Sequence, residues 1–141
     1  MKNFKLFALA VALVITSFVA KADGPNAARL TREDAIDVYI NAMSQGKTQG
    51  LNDVIDESAK FRTVRNQKIV SMDKADIMSF VDANAGVVQD CSVNTEVVES
   101  NTDMSIVKVD MQYNNFVRSN YVTLTNTGEG WKITDVYSVF K

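Results

Sequence analysis

The chain has 141 residues, with 15 basic and 17 acidic side chains, no histidine and one cysteine. That inventory excludes serine and cysteine triads that need an imidazole base, removes the usual zinc ligands, and leaves Cys91 without an internal disulfide partner. Basic residues are scattered singly among acids, which argues against binding to nucleic acid, whose affinity comes from clustered Lys and Arg.

The first predicted element is an export signal. Lys2 and Lys5 precede an uninterrupted apolar run from Leu6 to Ile15, and Ala20-Lys21-Ala22 has the small-x-small pattern of a signal-peptidase site. The apolar stretch ends near Val19, whereas a membrane-spanning helix needs roughly 20 such residues. Residues 1–22 are therefore expected to be a signal peptide, residues 23–29 a flexible lead around Pro25, and residues 30–141 one domain with one core. Cleavage removes Lys2, Lys5 and Lys21, leaving 12 basic residues against 17 acidic ones, a net charge of −5. The expected location is outside the cytoplasm, periplasmic or secreted, with no membrane attachment after cleavage.

Helix signals follow. Thr31 reads as an N-cap with Asp34 three residues on, and Ile36, Tyr39, Ile40 and Met43 recur along one face until Gly46 ends the helix. After a turn at residues 47–50, Leu51, Val54 and Ile55 mark one or two further helical turns, and strand-like alternation begins at about Ala59, with Phe61 and Thr63 facing one way and Lys60 and Arg62 the other. A turn at Asn66-Gln67 leads to a short strand at Ile69-Val70. Asp73 and Asp76 then start a helix with Ile77, Met78, Phe80 and Val81 as its buried stripe, stopped by Asn84-Ala85-Gly86.

From Val87 onward the helical period is gone. Asn101-Thr102-Asp103, Asn114-Asn115 and Gly128-Glu129-Gly130 separate four long strands into an antiparallel meander. Cys91 falls on the side of Val93 in a strand reading, as an inert core thiol. The fold class is α+β, a curved antiparallel sheet wrapped around N-terminal helices.

Two segments carry a more specific likeness: residues 66–77, Asn66-Gln67-Lys68-Ile69-Val70-Ser71-Met72-Asp73-Lys74-Ala75-Asp76-Ile77, and Tyr121-Val122-Thr123-Leu124 through Gly130-Trp131-Lys132-Ile133. With the order of elements, they resemble the cone-shaped domains of the nuclear transport factor 2-like (NTF2-like) superfamily, and within it the small bacterial proteins described as "putative lumazine-binding". The resemblance implies a pocket at the mouth of the cone. Because this fold hosts enzymes, binders and dimerisation modules alike, function has to be argued from the site.

Set against the steroid isomerases of this fold class, Tyr39 falls where those enzymes carry an oxyanion-stabilising tyrosine. Thr63 stands at or near the place of their general base, and Asn120 close to that of their second acid, and neither can titrate as a carboxyl would. No catalytic residue is assigned on this basis. Strict alternation puts Arg118 and Asn120 on the face of Val122 and Leu124, toward the pocket, while a bulge near Asn114-Asn115 would return them to solvent. The same alternation puts Asp135 on the Trp131-Ile133 face, with Arg118 as its candidate partner. The pocket candidates are thus Tyr39, Thr63, Arg118, Asn120 and Asp135.

The preferred functional expectation is a non-enzymatic exported domain, without cofactor or metal, that binds a small mostly apolar ligand or associates with itself. The alternative is a lyase or isomerase acting on a small cyclic substrate through Tyr39 and Asp135. Self-association is expected as a homodimer through the sheet face turned away from the helices. Val107, Val109, Met111 and Tyr113 form the helix-facing set, while Ile106, Val117, Tyr121, Val136 and Phe140 interrupt the polar opposite set of Lys108, Asp110, Ser119, Thr123 and Ser138. The targeting segment is testable alone: the intact mass of the exported protein should correspond to a chain beginning at Asp23, and a retained Met1 would refute the reading.

Overall fold

The computed structural model describes residues 30–141, so the expected signal peptide and lead lie outside the described residues. Helix α1 (Arg32–Gln45) begins where the sequence places its cap. The Thr31 hydroxyl accepts from the Asp34 N–H at 3.1 Å, and the Asp34 carboxylate accepts from the Thr31 N–H at 3.0 Å, a reciprocal capping box. Those bonds, first the one from the Thr31 backbone, hold the Asp34 pKa below its ordinary value. A single helical turn, α2 (Leu51–Val54), follows and passes directly into β1 (Ile55–Arg65). The strand therefore starts four residues earlier than its alternation suggests. Asp56 and Ser58 hide that start, because the Asp56 side chain accepts from the Ser58 N–H within an irregularity between Ile55 and Lys60.

A tight turn with Asn66 and Gln67 both at positive φ, as a two-residue hairpin demands, returns the chain as β2 (Lys68–Met72). Helix α3 (Lys74–Ala83) repeats the capping box with Asp73 and Asp76. Its Ile77 and Val81 are buried, but Phe80 is 53% exposed and does not belong to the core stripe. Residues 87–91 form no strand. The meander is β3 (Ser92–Ser100), β4 (Met104–Gln112), β5 (Val117–Thr127) and β6 (Gly130–Phe140). Cys91, half-buried, lies one residue ahead of β3 rather than within it.

The six strands form one curved, unclosed sheet in the order β2-β1-β6-β5-β4-β3. Every neighbouring pair is antiparallel except β1 with β6, whose parallel pairing brings both C-terminal ends to the same edge. The helices lie on the inner face. There Ala35 and Tyr39 of α1, Leu51 and Val54 of α2 and Ile77 and Val81 of α3 share a core with the inward residues of β1, β4, β5 and β6. No helix among the described residues is long and apolar enough to cross a membrane.

Gly46 fixes how α1 meets the loop after α3. It caps α1 at φ +68°, its carbonyl accepts from the Gly86 N–H at 2.9 Å, and the nearby Ser44 carbonyl accepts from the Gln89 N–H at 2.7 Å. A β-carbon on Gly46 would stand 2.6 Å from the Val87 nitrogen and 2.7 Å from that of Gly86, both immovable backbone. Gly86 also has positive φ, but a β-carbon there meets nothing within 4 Å. Gly46→Ala should therefore cost roughly 3 kcal/mol and Gly86→Ala only about 1 kcal/mol, the left-handed strain alone. Chemical denaturation of the two variants checks this, and equal losses would show that the loop does not press on Gly46.

Candidate functional site

A cavity of about 350 Å³ opens where the C-terminal ends of β1 and β6 meet the C-terminal half of β2 and the N-terminal end of β5, beneath α3. Its walls are mostly apolar, built from Phe61, Val70, Met72, Ile77, Phe80 and Phe140. Arg62, Arg65, Arg118, Thr63 and Ser138 supply its polar groups, and no carboxylate lines it among the described residues. A second, narrower cleft of about 70 Å³ runs between α1, α3 and Tyr113. Arg118 and Phe80 line both spaces and form the partition between them.

Register decides which residues arrive here. From β4 to β5 the pairing is unbroken, with Val109 opposite Asn120 and Met111 opposite Arg118. Arg118 and Asn120 consequently point inward, and the bulge that would have returned them to solvent is absent from this pair. The irregularity lies on β6 instead: Leu124 pairs with Ile133 but Thr123 with Asp135, leaving Thr134 as the extra residue. Its hydroxyl lies 2.9 Å from that of Thr125. Beyond that bulge the alternation of β6 inverts. Val136 and Ser138, expected on the outer face, are buried inside, and Phe140 reaches the cavity.

Asp135 is the correction that follows. It does not share the Trp131-Ile133 face and does not meet Arg118; the bulge sends it outward, where it pairs with Arg62. The remaining candidates separate by depth. Thr63 and Arg118 line the cavity together. Asn120 is fully buried beneath it, accepting from the Ser138 hydroxyl at 2.7 Å and donating to the Val109 carbonyl at 3.2 Å. Thr63 donates to the Ser138 carbonyl at 2.9 Å, so these side chains stitch β1, β6, β5 and β4 under the cavity floor.

Tyr39 is fully buried on α1 among Val93, Val109 and Met111, and its hydroxyl has no hydrogen-bond partner among the described residues. Burial raises its pKa above the ordinary 10.0, with the positive charge of Arg118 acting in the opposite direction. Sequence reasoning missed Arg65, Val70, Phe80, Ser138 and Phe140 as wall residues. For Ser138 and Phe140 the signal was inverted by the bulge; for Phe80 it was masked by a helical spacing that suits a core position equally well.

A model of the family described as "Putative lumazine-binding" matches residues 28–138. Among solved structures, the chain is similar to an NTF-2 like protein of unknown function from Silicibacter pomeroyi DSS-3, at 13% identity and a TM-score of 0.64, covering 76% of this chain and 90% of that one. It is also similar to an NTF-2 like protein of unknown function from Pseudomonas aeruginosa, at 13% identity and a TM-score of 0.58, covering 78% and 97%. A putative ketosteroid isomerase from Parabacteroides distasonis ATCC 8503 matches at 8% identity and a TM-score of 0.56, covering 77% and 86%. At these identities the structures speak for the fold alone. No curated protein matches the chain.

The Tyr39 hydroxyl yields a prediction with a definite sign. A buried hydroxyl without a partner carries a desolvation cost, so Tyr39→Phe should stabilise the fold by about 1 kcal/mol. Because the folded-state pKa is raised, the neutral phenol's contribution is complete below about pH 10 and is lost as pH rises toward the folded value. The variant should therefore resist alkaline unfolding better than the parent chain. Thermal unfolding from pH 8 to 11 checks both parts, and a destabilised Tyr39→Phe would mean that the hydroxyl has a partner.

Proposed function

The chain belongs to the family described as "Putative lumazine-binding" and has the NTF2-like fold, and from that premise we propose that it is an exported, non-enzymatic domain that binds a small, mostly apolar molecule in the cavity at the end of its sheet. The observation that carries this reading is the lining of that cavity. Six apolar side chains make its walls, and its volume lies in the range typical of small-molecule sites.

The isomerase alternative needs a titrating group within hydrogen-bond reach of substrate. Thr63 cannot titrate and already donates to Ser138, Asn120 is spent beneath the floor, and Asp135 lies across the sheet. The family's name points to lumazine, a pteridine, whose ring edge presents acceptors and N–H donors together. Acceptors on such a ring could meet the guanidinium groups, but among the described residues only the lone pairs of the Thr63 and Ser138 hydroxyls, and no carboxylate or amide side chain, line the cavity to receive its N–H groups. The lining therefore favours a ligand with an apolar body and an acceptor end over a pteridine.

Self-association is the second part of the reading. After the inversion of β6, the outer face no longer contains Val136, Ser138 or Phe140; its apolar members on β4, β5 and β6 are Ile106, Val117, Tyr121, Tyr137 and Val139, all half-buried in the isolated chain. Tyr121 and Tyr137 pair across β5 and β6 at the centre of that face, flanked by Lys108 and Arg62. A second copy placed there would cover the aromatic pair, and a stable interface of roughly 800 Å² per partner is within reach of such a face.

One preparation tests both parts. N-phenyl-1-naphthylamine, a neutral apolar fluorophore, should bind saturably at one site per chain, and Val70→Trp, which adds bulk at the exposed cavity wall, should abolish that binding. Absence of saturable binding both of this probe and of its sulfonated analogue would sink the cavity reading. In sedimentation at micromolar concentration the chain should run as a dimer and Tyr121→Glu as a monomer, because the contact would lose its aromatic centre and have to desolvate a charge; a monomeric parent chain would dispose of the outer-face contact.

A further inference from the structure

We propose that the molecule held in the cavity is a small organic anion, its negative group on the Arg118 guanidinium and its apolar body against Phe61, Ile77 and Phe80. The inference rests on the cavity reading above and adds the charge of the occupant.

Three arginines and no Asp or Glu line the cavity, in a chain whose overall charge is negative. They are not equivalent. Arg62 is committed to Asp135, and Arg65 stands exposed at the end of β1. Arg118 is different: it projects inward from β5, its Nε is buried without a hydrogen-bond partner, and none of the five ion pairs among the described residues includes it. Its neighbours are neutral. The Phe140 ring lies 5.9 Å from its Cζ, Phe80 shares both of its walls, and Asn84, Gln89 and Tyr113 line the cleft behind it.

A guanidinium in that position is tolerable while water reaches it through the cavity. A neutral apolar occupant would expel the water and leave the charge unpaired, which is the expensive state of a buried ion. An anionic occupant would replace the water with a charge-assisted pair, and the planar fork of arginine suits a carboxylate, sulfonate or phosphate oxygen pair. The rim supports the same chemistry. Phe80 and Phe140 stand about half exposed at the opening, able to cover an apolar body once its charged end is seated.

Two fluorophores that share one aromatic body separate the claims: 1-anilinonaphthalene-8-sulfonate and its neutral counterpart N-phenyl-1-naphthylamine. The parent chain should bind the sulfonate about 10-fold to 100-fold more tightly, the increment of a hydrogen-bonded charge pair. Arg118→Gln should erase that preference, weakening the sulfonate and tightening the neutral probe, which no longer strands a buried charge, and Arg65→Gln should leave the preference intact. Should Arg118→Gln fail to fold, Arg118→Lys should retain a charge but lose most of the preference with the fork. Equal affinities in the parent chain, or a preference that survives loss of Arg118 or falls with Arg65, would overturn the assignment while the cavity reading stands. Failure of both probes to bind would remove the cavity reading itself.

Discussion

The single extra residue in β6 governs the site more than any cavity-lining side chain does. Up to Ile133 the strand follows the alternation of β5; at Thr134 one residue is left over, and everything after it changes face. Val136 joins the core, Ser138 reaches Asn120, Phe140 closes the cavity, and Asp135 is expelled to meet Arg62. Without that bulge, period-two alternation would turn Asp135 inward, opposite Val122, and Phe140 outward. The core would then have to hold a carboxylate, and the cavity would lose one aromatic wall. The bulge thus keeps a carboxylate out of the interior and sets the Phe140 ring against Arg118.

Beneath the cavity, the chain solves the opposite problem. Asn120, Ser138 and Thr63 are polar groups taken out of water, and each has a partner supplied by a neighbouring strand. A satisfied buried network specifies register, because a slip of one residue would orphan several groups together. It crosses the parallel β1–β6 seam, where no hairpin turn fixes alignment. Sequence separation is long there too: Thr63 and Ser138 lie 75 residues apart. The rigid floor also explains why two residues that resemble catalytic positions by placement serve structure by bonding.

Much of the fold was legible because local signals and tertiary packing agree. Thr31 with Asp34 and Asp73 with Asp76 set both long helix starts, Gly46 ends the first, and the turn chemistry at residues 66–67, 101–103, 114–115 and 128–130 delimits the strands. The site was legible only in part. Arg118 and Thr63 stood out as polar residues on inward strand positions, and both line the cavity. Asp135 misled because alternation propagates without limit until a bulge interrupts it, and the run Trp131-Lys132-Ile133-Thr134-Asp135 contains no glycine or proline to announce one. The parallel seam between β1 and β6 left no local trace either, since pairing between distant strands is written in neither turn.

Two buried polar atoms lack partners among the described residues, the Tyr39 hydroxyl and the Arg118 Nε, and they differ in what can relieve them. Tyr39 sits in a gap with no room for an occupant, so its cost is carried permanently and offset by the burial of its ring. Arg118 borders a cavity that combines small-molecule dimensions with mostly apolar walls, so its cost can be relieved from outside. Proteins tend to tolerate such local losses where a site needs an unsatisfied group, and the deficit then becomes part of the affinity. Arg118 lacks only a counter-charge, which the floor cannot provide because its polar atoms already bond to one another. The inward guanidinium and the saturated floor therefore place the missing anion on the ligand.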